Sequence, residues 1–274
     1  VLSFLCVFSI LISLGACNKA DKADPALVVP AHEPAQKGLV EAGKLIVGTS
    51  PDYPPYEFRL QKDDSSVIVG LDIAIAEAIA KELNLELVIK DYFFSKLFPA
   101  LENNEVDMVI AGLAPTEDRK QKMDFSDVYY KALQNMVVRK VDHEAFSNFD
   151  NLRDKKLGTQ ASSIQADMVK KLVRGAMFEE KGTVQDLIDA LKAKELDAIM
   201  IEAPVAEALA YKDPELAVIE IAQEPGMEMV DSAIAVRKGN RDLLNRINEV
   251  LKKLIGENRI ESFAADASAL MDLP

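Results

Sequence analysis

Two segments of this chain resemble each other: Asn135–Lys140 (NMVVRK) and Asp231–Lys238 (DSAIAVRK), each an apolar strand ending in Val-Arg-Lys. About ninety residues separate them and carry their own alternation of short apolar runs and amphipathic stretches. A segment with its own βαβ pattern, inserted between two strands, predicts a second lobe joined to the first by a two-stranded hinge. On this reading lobe 1 is 39–138 plus 231–274 and lobe 2 is 139–230.

The same alternation runs from Lys44 onward and places the chain among α/β proteins. Expected strands are Leu45–Thr49, Leu85–Lys90, Val106–Ala111, Asn135–Arg139, Lys156–Gly158, Leu196–Ile201, Ala217–Ile221 and Ala233–Val236. Expected helices are Asp72–Leu83, Phe94–Asn103, Thr116–Met123, Ser163–Leu172, Val184–Lys192, Ala203–Tyr211 and Arg241–Glu257. In the first, Ile73, Ala76, Ile79, Ala80 and Leu83 share one face at helical spacing, as on a surface helix lying over a sheet. Ligands of open α/β sheets sit beyond the carboxyl ends of strands, so a cleft between two such lobes is the expected site.

Charge excludes some functions. Against 32 Lys and Arg stand 45 Asp and Glu, a formal net charge of −13, so the cationic surface a nucleic-acid binder needs is missing. Gly38-Leu39-Val40-Glu41-Ala42-Gly43-Lys44 matches G-x-x-x-x-G-K, but Leu45 stands where Ser or Thr is required and a strand follows where a helix must begin, so no nucleotide is expected.

None of the charge falls in Val1–Ala16 (VLSFLCVFSILISLGA). As a helix those residues rise about 24 Å, short of a bilayer core, and read as the apolar region of a signal peptide over 1–16. Leu14-Gly15-Ala16-Cys17 resembles a bacterial lipobox, which implies cleavage before Cys17, its acylation, and attachment to the membrane on the extracytoplasmic side. Residues 17–38, rich in Ala, Lys, acids and Pro, read as the lipidated Cys and a flexible tether. The only cysteines are Cys6 and Cys17, so the mature body has no disulfide and no thiolate metal site. His32 and His143 are far apart in sequence, and no metal or cofactor is expected.

Four segments in order carry a family resemblance: Gly48-Thr49-Ser50-Pro51-Asp52-Tyr53-Pro54-Pro55-Tyr56-Glu57-Phe58, then Gly70-Leu71-Asp72-Ile73, then Ala111-Gly112-Leu113-Ala114-Pro115-Thr116-Glu117-Asp118-Arg119, then Met123-Asp124-Phe125-Ser126-Asp127-Val128-Tyr129-Tyr130. Together, from about Leu45 to about Phe263, they resemble the family-3 extracellular solute-binding proteins, polar amino-acid receptors of ABC importers. The resemblance implies a two-lobe type II periplasmic-binding fold, a free amino acid as ligand, a permease as partner, a monomer, and no enzymatic activity.

A free amino acid presents a carboxylate and an ammonium in fixed relation, so its receptor needs a cationic patch facing an anionic one. From spacing alone, Thr116-Glu117-Asp118-Arg119 is an ordinary helix start with a solvated Arg; the resemblance implies instead that Arg119 grips the ligand carboxylate through its fork. Thr116 would cap that helix, with Gly112 and Ala114 beside it and Ala114 replacing a hydroxyl common in the family. Ser162 and Ser163, between a strand and a helix N-terminus, would add hydroxyls and amides from lobe 2. Glu202 would meet the α-ammonium, at a position commonly Asp. Tyr53 and Phe94 would sandwich the ligand side chain, with Tyr56 beside them. Receptors for basic amino acids often carry an acid where Ser50 stands; Asp52 and Glu57 lie close and are equally readable as solvated loop residues. The ligand expected is Arg or Lys, with Gln or His next. The alternative is an exported dehydratase resembling the cyclohexadienyl dehydratases, for which Glu202 or Glu57 would be the acid.

Overall fold

The computed structural model describes residues 38–62, 65–146, 149–173, 175, 177–221 and 229–271. The expected signal segment 1–16, the tether to residue 37, Cys17 and His32 lie outside the described residues.

The first lobe opens with β1 (Lys44–Thr49), a meander of β2 (Asp52–Tyr53), β3 (Glu57–Lys62) and β4 (Ser65–Val69), and α1 (Leu71–Glu82). It continues through β5 (Glu86–Asp91), α2 (Phe94–Glu102), β6 (Met108–Val109), α3 (Glu117–Lys122) and β7 (Met123–Phe125). The chain crosses on β8 (Tyr130–Ala132) into β9 (Gln134–Arg139), β10 (Lys156–Gln160), α4 (Ile164–Leu172) and β11 (Met177–Lys181). Next come α5 (Val184–Lys192), β12 (Ala198–Glu202), α6 (Ala203–Lys212) and β13 (Leu216–Glu220). It returns on β14 (Val230–Ser232) and ends in β15 (Ala235–Arg237), α7 (Arg241–Gly256) and α8 (Arg259–Leu270).

Two five-stranded sheets result, ordered β5-β1-β6-β15-β7 and β11-β10-β12-β9-β13. Three parallel strands lead each sheet, followed by one strand that runs antiparallel to both its neighbours: β15 between β6 and β7, β9 between β12 and β13. Those antiparallel strands are the two look-alike segments, and they are equivalents in separate sheets rather than partners in one hinge. The physical reason is burial. Met136, Val137 and Val138 are all inaccessible, as are Ala235 and Val236, and a strand apolar on both faces belongs at the centre of a covered sheet. The paired crossing strands are instead β8 and β14, joined antiparallel from Tyr130–Ser232 to Ala132–Val230.

Helix α1 buries Ile73, Ile75, Ala76, Ile79 and Ala80 against the first sheet and against α7 and α8. Truncating a fully buried Ile75 to Ala would cost about 2–5 kcal/mol. Gly70 enters this helix at φ 134°, with Tyr56 O so near that a Cβ would lie 2.1 Å from it, so any side chain there would drive the β2–β3 turn away from α1. No described helix is long and apolar enough to cross a membrane.

Candidate functional site

The strand ends of the two sheets face one cavity. From the first lobe it is lined by Ser50, Asp52, Tyr53, Glu57, Phe94, Ala111, Gly112, Ala114 and Arg119; from the second by Gln160, Ser163, Ile164, Gln165 and Glu202. Of the residues expected from sequence, Ser50, Tyr53, Phe94, Gly112, Ala114, Arg119, Ser163 and Glu202 are therefore brought together. Thr116, Ser162 and Tyr56 are not among the lining residues, and each has a supporting place instead. Thr116 caps α3, its hydroxyl accepting from the Arg119 amide at 3.3 Å. Tyr56 is wholly buried, packed on Tyr53 at 5.7 Å and edge-on to Tyr130 at 5.6 Å. Ser162 is left-handed (φ 67°); its amide donates to the Glu180 carboxylate and its carbonyl accepts from Arg119 at 3.0 Å.

Arg119 is held by carbonyls and rings. Its other terminal nitrogen donates to Ala114 O at 2.8 Å, and the guanidinium lies 4.8 Å from the Phe98 ring centroid and 5.7 Å from that of Phe94. No ion pair of Arg119 occurs among the described residues. Burial lowers its pKa to about 10, opposed by the Asp167 charge, and it remains cationic at neutral pH.

Acids crowd the same space. Glu202, at the end of β12, is 2% exposed, and burial pushes it up to about 8; the Tyr56 hydroxyl lowers it and the Asp72 charge raises it. Glu57, 0% exposed, is raised well above the ordinary range by burial first and then by Asp72, Asp52 and Glu202. Asp72, on α1, is raised by burial to about 6 although it accepts from Gly112 N at 2.8 Å and from the Tyr129 hydroxyl at 2.9 Å. Glu57 is thus a buried wall of the cavity, not a solvated loop residue. Gln165 and Gln134 carry no motif signal at all, and Asp72, although within Gly70-Leu71-Asp72-Ile73, carries none for a role at the site. Gln165 lines the cavity and donates to Gln134 at 2.8 Å, while Gln134 Nε2, Ser163 Oγ and Glu202 Oε2 are buried without partners. Despite the acids, no group of three metal-ligating side chains suited to holding an ion occurs among the described residues.

The lobes are in contact around the cavity. Asp52 accepts from Val184 N at 2.8 Å and from Gln160 Nε2 at 3.2 Å, Arg119 reaches Ser162 O, and the Glu202 amide donates to the Tyr53 hydroxyl at 3.5 Å.

Two lobes of equivalent strand order, two crossing strands and a polar cavity between strand ends define a solute receptor of the type II periplasmic-binding fold. The profile of the bacterial extracellular solute-binding proteins, family 3, matches residues 45–265, and the chain belongs to that family. It is similar to the arginine-binding extracellular protein ArtP of Bacillus subtilis, 36% identical over 220 residues, 80% of this chain and 83% of that one. A probable histidine-binding protein of Campylobacter jejuni is 29% identical over 220 residues, 80% of this chain and 81% of its own. Among solved structures, the amino acid ABC transporter substrate-binding protein AbpA of Streptococcus pneumoniae, bound to L-arginine, superposes with TM-score 0.81 at 30% identity, covering 85% of this chain and 97% of that one.

Proposed function

We propose that this protein is an exported lipoprotein, acylated at Cys17, that captures a basic amino acid, L-arginine or L-lysine, and delivers it to an ABC permease. The observation that carries this reading is the charge inventory of the cavity: one guanidinium without a carboxylate partner against three lining acids, Asp52, Glu57 and Glu202, with Asp72 of α1 acting on the last two. A basic amino acid carries one negative and two positive groups. Arg119 takes the carboxylate, Glu202 the α-ammonium, and Asp52 and Glu57 are left for the side chain, where only a cation can pair with a buried carboxylate. Arginine binding by the AbpA relative and the name of ArtP support the same ligand class.

The second lobe, from β9 to β13, is proposed to swing about β8 and β14. Arg119 and Glu202 sit on opposite lobes and can grip one ligand together only when closed, so the ligand shifts the population toward closure. A second reading, an exported dehydratase, is favoured only by the raised pKa of Glu202, which suits a general acid. Release of an aromatic product from prephenate or arogenate, lost in Glu202→Gln, would establish it.

A thermal-shift screen against the twenty amino acids, after partial unfolding and refolding to remove copurified ligand, tests the receptor reading. Ligand at about 100 times its Kd stabilises by about 2.7 kcal/mol. L-arginine or L-lysine should give the largest rise in Tm; a response to neutral or acidic amino acids alone would overturn the ligand assignment.

A further inference from the structure

The three acids of the cavity and Asp72, which acts on two of them, differ in what they touch. Asp72 has both oxygens occupied, by the Tyr129 hydroxyl at 2.9 and 3.0 Å and by Gly112 N at 2.8 Å. Glu57, at the start of β3, has no donor on either oxygen while it is ionised, although it is wholly buried and lines the cavity. Among its charged neighbours Asp72 acts on it most strongly, raising its pKa, as expected of two carboxyls that share one proton. Among the described residues the other ionisable groups that act with Glu57 are acids and phenols: Asp52 and Tyr53 from β2, Glu202 from β12 and Tyr129 from the segment between β7 and β8. The cation in the cavity, Arg119, is turned to the carbonyls of Ala114 and Ser162.

We infer that Glu57 reads the ligand's side-chain cation by proton exchange: in the free receptor it is a neutral carboxylic acid donating to the Asp72 carboxylate, and an incoming guanidinium or ammonium displaces that proton to solvent. The step balances as neutral Glu57 plus cation giving a Glu57 carboxylate ion pair plus one released proton. Asp72 is a positioning residue. Its two donors, the Gly112 amide and the Tyr129 hydroxyl that lies between both oxygens, favour its ionised form, which makes it the acceptor and Glu57 the proton carrier. The two groups act on each other in that sense: Asp72 raises Glu57, and Glu57 lowers Asp72. A neutral side chain such as that of citrulline or glutamine hydrogen-bonds to the acid form and releases nothing there. Selectivity for a cation over its neutral isostere therefore increases with pH. This inference rests on the basic-amino-acid reading and deepens it.

Calorimetry on the purified protein at pH 7, in two buffers of different ionisation enthalpy, counts the protons released as L-arginine, or L-lysine if it binds tighter, is added. Glu57 and Glu202 together should release about two protons per ligand. A count of one or fewer with normal binding overturns proton exchange at Glu57 and leaves the receptor assignment intact; failure of both basic amino acids to bind, with a neutral one binding, overturns the ligand reading itself. Glu57→Gln should release about one proton fewer than the wild type and lose most of the preference for arginine over citrulline. Asp72→Asn should move the pH midpoint of arginine binding downward, by removing the charge that holds the proton on Glu57; equal weakening at every pH would mark Asp72 as merely structural.

Discussion

At Arg119 a full charge is kept in a partly apolar setting by two carbonyls and two phenyl rings, without a counter-ion among its hydrogen-bond partners. A charge so placed is poor value for folding and good value for gripping an anion, because the attraction of a carboxylate arrives with most of the desolvation already met. Arg119→Met should therefore separate the two roles. It removes the charge-assisted bonds to ligand, worth about 1.5–3 kcal/mol each, and should abolish the arginine-induced rise in Tm. The ligand-free protein should melt within about 3 °C of wild type, since loss of two carbonyl contacts is offset by relief of a buried charge. A large drop in ligand-free Tm, seen in the same melting curves, would mean that Arg119 is structural.

Elements with a strong period were legible in the sequence: α1, α5 and α7 were expected within two residues of their observed ends, because an apolar stripe at helical spacing has few alternatives. The crossing strands were not. β8 and β14 have three residues each and pair across few apolar contacts, so they leave no periodic trace; the eye falls instead on β9 and β15, whose apolar runs mark sheet centres. The same limit applied to the site. Arg119 and Glu202 sit at element boundaries, a helix start and a strand end, where a cleft residue is expected, whereas Glu57, although inside a quoted segment, becomes a cavity wall only because the β2–β3 turn folds against α1 at Gly70. Asp52 shows the consequence for mechanism. It joins the first lobe to the first free amide of α5 and to Gln160 of β10, bonds that exist only while the lobes meet. Asp52→Ala should cost what a lost helix-cap acceptor costs, about 0.5–2 kcal/mol, charged entirely to the closed state. Binding of L-arginine should weaken roughly 2–30-fold, chiefly through faster dissociation, while the melting of the free protein changes little. Unchanged dissociation measured by stopped flow would remove Asp52 from the closing device.

On the scale of the whole molecule, the acids make closure sensitive to pH. Glu202 at about 8, Asp72 at about 6, and Glu57 and Asp52 in the same direction are all raised above their unfolded values by burial. A raised carboxyl stabilises the folded state fully below its unfolded pKa and loses that contribution as pH rises through its folded one, so the loss here runs from about pH 5 to about 8. Asp124 and Asp213 are lowered and act the opposite way, but their stabilisation is lost only in more acid solution and leaves this window untouched. Ligand-free protein should therefore lose on the order of 2–4 kcal/mol between pH 5 and pH 8, a fall of roughly 5–10 °C in Tm. Protein saturated with L-arginine should show a much smaller fall, because its two cations pair with the acids that otherwise stand exposed to one another's charge. Since the lobes can separate and hydrate those acids without unfolding, the same repulsion should open the free receptor. Small-angle scattering should then find it compact at pH 5 and expanded at pH 8, with added arginine restoring the compact form; a radius of gyration constant across that range, together with a flat Tm, would show that the carboxyls carry no such load.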